Sequence, residues 1–224
     1  MSMLSNLELI RRVPLFALLA ADQAEEVARA VVKRRFRRGE ALVVQDAPCD
    51  ALYILLTGRA RLVATDARGR EVILGAVSPG DYVGELSLID HQVQPATVRA
   101  ETQTDALVLA RADFARCLPE SHAMAYAIMR GLSQRLRQAQ RKIESLALMD
   151  VHGRVARVLV ETAREDARGG QTIRERLSRQ DVAKMVGASR EMVSRVMKDL
   201  EQQGLIATLE DGSLLVREAL RSVG

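Results

Sequence analysis

Hydrophobic and polar positions change rhythm repeatedly along this chain, and each change predicts a different kind of element. Residues 4 to 33 place apolar side chains at helical spacing, with Pro14 interrupting and Leu15, Phe16, Leu18 and Leu19 forming an apolar knot. Helices packed on a core are expected there. From Lys33 the rhythm shortens. The segments Ala41 to Val44, Ala51 to Leu56, Ala60 to Ala64 and Glu71 to Val77 are rich in Val, Ile and Leu. Turn signals separate them: Arg38-Gly39, Asp46-Ala47-Pro48, Thr57-Gly58, Ala67-Arg68-Gly69 and Ser78-Pro79-Gly80-Asp81. Thr97 to Ala100 and Ala106 to Ala110 continue the series, and short strands between frequent glycine turns predict a small barrel or jelly roll.

A helical period then returns over residues 120 to 148, where Met124, Ile128, Leu132, Leu136, Ala139, Ile143 and Leu146 make one apolar line. A helix of about 28 residues reaches roughly 40 Å, longer than a domain of this size needs. Its long charged residues Arg130, Arg135, Arg137, Arg141 and Lys142 read as the outer face, so the line is expected to pack on a twin helix in a homodimer, against the plainer reading of a helix packed on its own barrel. Asp150-Val151-His152-Gly153 breaks the line as a hinge, with Asp150 capping a helix from Arg154 to Arg164, and a polar loop follows through Glu165 to Gly170.

Two short helices meeting at a tight turn are predicted from Ser178 to Leu200. Ser178 caps the first, which buries Val182, Ala183, Met185 and Val186, and Gly187 ends it by accepting a positive φ. Ser189 caps the second, which buries Met192, Val193, Val196, Met197 and Leu200 and turns Arg190, Glu191, Ser194, Arg195 and Lys198 outward. After Leu200, an Asp211-Gly212 turn between two short apolar runs predicts a hairpin, and a helix-turn-helix followed by a hairpin is a winged domain.

Charge separates a DNA reading from a merely solvated face. Between Arg174 and Lys198 stand seven basic residues (Arg174, Arg176, Arg179, Lys184, Arg190, Arg195, Lys198) against three acidic ones (Glu175, Asp181, Glu191). Positive charge gathers on the motif although the whole chain, 224 residues long, carries only +4. The face holds side chains that read base edges, since an Arg fork fits guanine O6/N7 and a carboxylate accepts from cytosine N4. A hydrophobic content of 48% supports one or two domains with real cores. Neither a membrane span nor a signal peptide is read, so a soluble cytoplasmic protein is expected. Cys49 and Cys117 form neither a metal spacing nor a disulfide framework.

The order Phe36 to Leu42 (F-R-R-G-E-A-L), Asp50 to Gly58 (D-A-L-Y-I-L-L-T-G), Pro79 to Leu88 (P-G-D-Y-V-G-E-L-S-L) and Ala96 to Thr102 (A-T-V-R-A-E-T) resembles the effector domain of the cyclic-AMP receptor protein and fumarate-nitrate regulator family. Ser189 to Arg195 (S-R-E-M-V-S-R) resembles its recognition helix, so the resemblance covers nearly the whole chain. It implies an α+β fold: an effector-binding β-roll with flanking helices over 1–118, a dimerisation helix over 119–149 and a winged helix-turn-helix over 150–224. It also implies a homodimer that binds DNA and engages RNA polymerase as a transcription regulator, an activator or a repressor, under allosteric control. By the same resemblance Arg190, Glu191, Ser194 and Arg195 read bases, and Arg190 implies a guanine in a TGTGA-like palindrome. Arg179, Gln180, Ser189 and Lys198 hold phosphates.

The implied effector pocket consists of Gly84, Glu85, Leu86, Ser87, Gln94, Ala96 and Thr97, with Arg135, Ala139 and Gln140 from the long helix; the hinge is Asp150 to Gly153. Gly84-Glu85-Leu86 matches the family's cyclic-phosphate motif. The phosphate-binding arginine-serine pair, however, falls on Gln94-Pro95, the loop is one residue shorter, and the adenine-touching threonine and serine fall on Ala139 and Gln140. Cyclic AMP bound in the usual way is therefore not expected, and Asp46 replaces a family glycine in a turn that favours left-handed backbone. The cluster-binding cysteine set of the fumarate-nitrate branch is absent, and His91 is the one histidine placed for a haem, although a lone loop histidine is far more often simply solvated, so a haem is not expected. Another cyclic nucleotide, or cyclic di-GMP met by Arg99 and Arg135, stays open, as does ligand-free DNA binding. A ligand-binding scaffold whose last domain meets protein is the alternative. An enzyme lacks support: His91, His122 and His152 make no metal set, and neither a nucleophile elbow nor a phosphate loop is present.

Overall fold

Alternation and glycine turns fold the first half of the chain into the expected roll. The computed structural model describes residues 5–17, 19–120, 122–165, 170–174 and 177–222. Leu18 and Arg176, and Glu175 of the charge cluster, lie outside the described residues, as does the Cys117 side chain. Two helices come first, α1 (Asn6–Arg11) and α2 (Ala21–Ala30), joined through a 3-10 turn at Pro14–Phe16. Ser5 caps α1, and Ile10, Leu15, Phe16 and Val27 are buried.

Eight strands follow: β1 (Val32–Phe36), β2 (Ala41–Val43), β3 (Ala51–Thr57), β4 (Ala60–Thr65), β5 (Glu71–Val77), β6 (Tyr82–Val83), then α3 (Glu85–Asp90), β7 (Thr97–Ala100) and β8 (Thr104–Ala110). They pair antiparallel in two sheets, ordered β1-β8-β3-β6 and β2-β7-β4-β5. Phe36, Leu55, Ala60, Val98 and Ala106 fill the roll, while Leu52, Ile54, Leu107 and Leu109 turn toward the helices. The sequence pattern did not mark β1: four of its five residues are exposed, leaving no alternation to read. It also passed over α4 (Arg111–Glu120), which starts straight from β8.

The long helix is present as α5 (His122–Leu148). Its apolar line divides. Met124 and Ile128 are buried against Tyr82 and Phe114 of the first unit, whereas Leu136 (61% exposed), Ile143 (66%) and Leu146 (48%) are open. Packing on the chain's own roll thus holds for the first turns only. Gly131 permits that packing, since a Cβ there would stand 2.1 Å from the Tyr82 hydroxyl. The chain divides into two compact units, Met1–Arg135 and Leu136–Gly224, with the division inside α5.

The second unit contains α6 (Val151–Thr162), β9 (Arg164–Glu165), β10 (Gln171–Ile173), α7 (Arg179–Val186), α8 (Arg190–Gln202), β11 (Ile206–Thr208) and β12 (Leu214–Val216). The hairpin β11–β12 widens into a sheet ordered β11-β12-β10-β9, because part of the segment read as a polar loop after α6 pairs as β9 and β10. Val155, Ala156 and Leu159 of α6 share a core with Val182, Val186, Val193, Met197 and Leu200. No described helix is long and apolar enough to cross a membrane.

Candidate functional sites: the reading helix and the effector pocket

The turn between α7 and α8 is built by the caps that the sequence predicts. The Ser178 hydroxyl accepts from the Asp181 N–H at 3.0 Å, and that of Ser189 accepts from the Met192 N–H at 3.2 Å. Gly187 sits at φ 65°, ending α7 in the left-handed region. With Val193, Met197 and Leu200 between 0 and 2% exposed, α8 is fixed by its buried stripe, and each such side chain is worth about 1.5–3 kcal/mol. Arg190, Glu191, Ser194, Arg195 and Lys198 are all exposed on the opposite side. Met192 corrects the expected stripe: it is 45% exposed, because it lies about 100° around the helix from the buried Val193.

Glu191 accepts from its own backbone N–H and from the Ser189 hydroxyl, and these bonds, with Arg190 and Arg195 nearby, hold its carboxyl below the usual carboxylate range. It therefore stays an acceptor near neutral pH. Gln180 and Ser189 are exposed and Arg179 is half-buried, with Arg179 and Gln180 in the first turn of α7.

The segment expected as a hinge carries more bonds than its sequence discloses. Asp150 caps α6 by accepting from the Gly153 N–H at 2.8 Å. Arg154 then donates to two carbonyls, Met149 O beyond the end of α5 (2.9 Å) and Val186 O at the end of α7 (3.0 Å). A guanidinium there faces the negative ends of two helices. His152 Nε2 stands 2.9 Å from Asp199, a link from the first turn of α6 to α8. A cleft of about 530 Å³ opens elsewhere in this unit, between Val160, Gln171, Leu215 and Arg217.

In the first unit, Gly84 precedes α3 at φ 96°, and a Cβ on it would meet Ala51 O at 2.3 Å. Only glycine fits both constraints. Glu85 is 1% exposed and bonded to Arg135 of α5, whose guanidinium also donates to Tyr82 O and lies 4.9 Å from the centre of the Tyr82 ring. Burial pushes the Glu85 carboxyl up, and Arg135 pulls it partly back. Arg135 is therefore no outer residue: it ties α5 to Glu85 and Tyr82 of the roll.

Ser87 and Gln94 are buried as well, and the Gln94 amide donates to the Ser87 hydroxyl at 2.5 Å. Backbone bonds lock Gln94 to the facing turn, Asp46 N to Gln94 O (2.8 Å) and Gln94 N to Ala47 O (3.0 Å). Asp46 adopts φ 59°, the left-handed geometry expected of it. Ala96 is buried, and the Thr97 hydroxyl accepts from Gln45 N at 3.0 Å.

Leu86, Arg99 and His91 have other surroundings. Leu86 is 37% exposed and does not share the burial of Glu85 and Ser87. Arg99 alternates with the buried Val98 and Ala100 and pairs with Glu71 at 3.1 Å, so strand alternation takes it off the roll's interior. His91 Nδ1 accepts from the Arg111 guanidinium at 3.1 Å. Ala139 and Gln140 are exposed on the second half of α5. Among the described residues, no group of three or more His, Cys, Asp or Glu is placed to hold a metal.

Residues 33–121 match the cyclic nucleotide-binding domain, and residues 153–223 match the Crp-like helix-turn-helix domain. The chain is 34% identical over 182 residues to the cAMP-activated global transcriptional regulator Vfr of Pseudomonas aeruginosa, covering 78% of this chain and 84% of that one. It is 32% identical over 171 residues to the cAMP-activated global transcriptional regulator CRP of Salmonella typhimurium, covering 74% and 80%. Among solved structures it resembles the c-di-GMP responsive global regulator CLP of Xanthomonas campestris, at 28% identity and a TM-score of 0.77, over 88% of this chain and 98% of that one.

Proposed function

Because this chain belongs to the CRP/FNR family of transcription regulators and is a Crp-like DNA-binding regulator, not an enzyme, we propose that two copies read a palindrome of TGTGA-like half-sites about one helical turn apart. The observation that carries this reading is the division of α8 into a buried stripe and an exposed polar face of Arg190, Glu191, Ser194 and Arg195. Arg190 takes guanine and Glu191 takes cytosine, while Arg179, Gln180, Ser189 and Lys198 contact phosphates and set register without conveying sequence. The copies pair along the open half of α5, where Leu136, Ile143 and Leu146 are exposed. RNA polymerase is the further partner of an activator, in the cytoplasm.

The first unit senses a small effector at Glu85 and Ser87. Vfr and CRP are described as cAMP-activated and CLP as c-di-GMP responsive, so a cyclic nucleotide or cyclic di-GMP is the proposed class. Cyclic AMP in its usual pose is disfavoured: neutral Gln94 replaces the phosphate-binding arginine, and its amide is already bonded to Ser87. DNA binding without effector, with control by abundance, is the other arm. An effector acts only by binding two arrangements of α5 and the Asp150 to Gly153 hinge unequally.

Selection from random duplexes, followed by binding of wild type and Arg190→Ala, tests the reading. The variant should lose about 1–3 kcal/mol on the selected site and relax choice at one base pair. Equal loss on random DNA would overturn the assignment of Arg190. Calorimetry with cyclic AMP, cyclic GMP and cyclic di-GMP identifies the effector.

A further inference from the structure

We infer that Arg111 is the positioning residue of the effector pocket, a guanidinium that fixes helix α3 from behind and so sets where Glu85 and Ser87 meet a ligand. The inference rests on reading those two residues as the effector site. Arg111 is the first residue of α4, and its backbone N–H donates to Asp50 O at 2.8 Å. Its side chain reaches four acceptors: the Asp50 carboxylate (3.0 Å), His91 Nδ1 (3.1 Å), Cys49 O (2.9 Å) and Ser87 O (3.2 Å).

Two of these belong to the last turn and cap of α3. The Ser87 carbonyl also accepts from the His91 N–H at 3.1 Å, so it is an end carbonyl of the helix, where a cation is favourable. His91 caps α3 at φ 60°, a left-handed conformation that a Cβ makes costly, and the bond to Arg111 holds its ring there. The other two acceptors belong to the Cys49–Asp50 segment. That segment leads directly into Ala51, whose carbonyl is the wall that leaves no room for a Cβ at Gly84, ahead of α3.

One side chain thus ties the C-terminal end of the helix to the segment that leads into the wall at its N-terminal end. Ser87 shows the division of labour within a single residue, its hydroxyl toward Gln94 and its carbonyl toward Arg111. A lysine, with one compact charge, cannot reproduce a planar fork serving separated acceptors. Arg116 on the same helix is the natural control, because it pairs with Glu26 (3.0 Å) and Asp113 (2.9 Å) instead.

The test uses the full chain as wild type, Arg111→Met, Arg111→Lys and Arg116→Met. Amide hydrogen exchange over residues 88–91 should quicken at least about tenfold in Arg111→Met and less in Arg111→Lys, while β3 and β8 change by no more than about twofold. Affinity for whichever of cyclic AMP and cyclic di-GMP the wild type binds should fall at least about tenfold in Arg111→Met and stay unchanged in Arg116→Met. Unchanged exchange in α3, or equal quickening across the whole roll, would overturn the inference. If Arg111→Met does not fold, Arg111→Lys is judged by the same contrast between α3 and the strands. If neither nucleotide binds the wild type, the effector reading fails for those ligands, and exchange in α3 still decides the role of Arg111.

Discussion

Glu85 carries its charge where water scarcely reaches, and Arg135 is what makes that tolerable. Replacing Arg135 by Ala should cost about 3 kcal/mol, because a buried carboxylate loses its ion partner. Glu85→Gln should cost far less, since the charge leaves with its burial penalty. The sign of the pH effect follows from the raised carboxyl: it favours the fold most below the ordinary glutamate range, about pH 4, and that contribution is lost as pH rises through the raised value. Thermal unfolding of wild type and Glu85→Gln from about pH 4 to 7 should therefore show the variant gaining relative stability as pH rises. Glu85 was singled out through the G-E-L motif of the family it resembles, but its burial was not foreseen. Arg135 was placed among effector residues only by resemblance, and its spacing on the helix put it outside. Its partner lies 50 residues earlier, and no local pattern announces such a pair.

At the scale of elements, α5 is two helices in one. Met124 is fully buried, and truncating it to Ala should cost about 2–5 kcal/mol in unfolding of the chain. Ile143 is 66% exposed, so Ile143→Glu should leave folding nearly untouched yet split the proposed dimer, with light scattering reporting the mass of one chain. A dimer that survives that change pairs elsewhere. Periodicity predicted the helix but could not divide it, since the same four-and-three spacing serves a roll wall and a partner helix. Strands with one buried face were legible; β1, charged along Lys33, Arg34 and Arg35, and β10, completed by β12 more than forty residues later, were not. Caps were the most legible feature, because Ser178, Ser189 and Asp150 act within three residues of themselves.

For the whole molecule, a net charge of +4 gives little general attraction to DNA, so the proposed phosphate contacts rest on named residues. Arg179→Ala, acting in both copies, should weaken binding to all sequences alike and lower the slope of log affinity against log salt by about 2. Titrations at several salt concentrations check this, and a loss confined to the preferred palindrome would count against a phosphate role. The open half of α5 has one more consequence. If a site must be filled by two chains at once, then below the concentration where they pair its occupancy follows the square of their number. Halving expression would quarter the response, making the amount of this protein in the cell a signal in its own right.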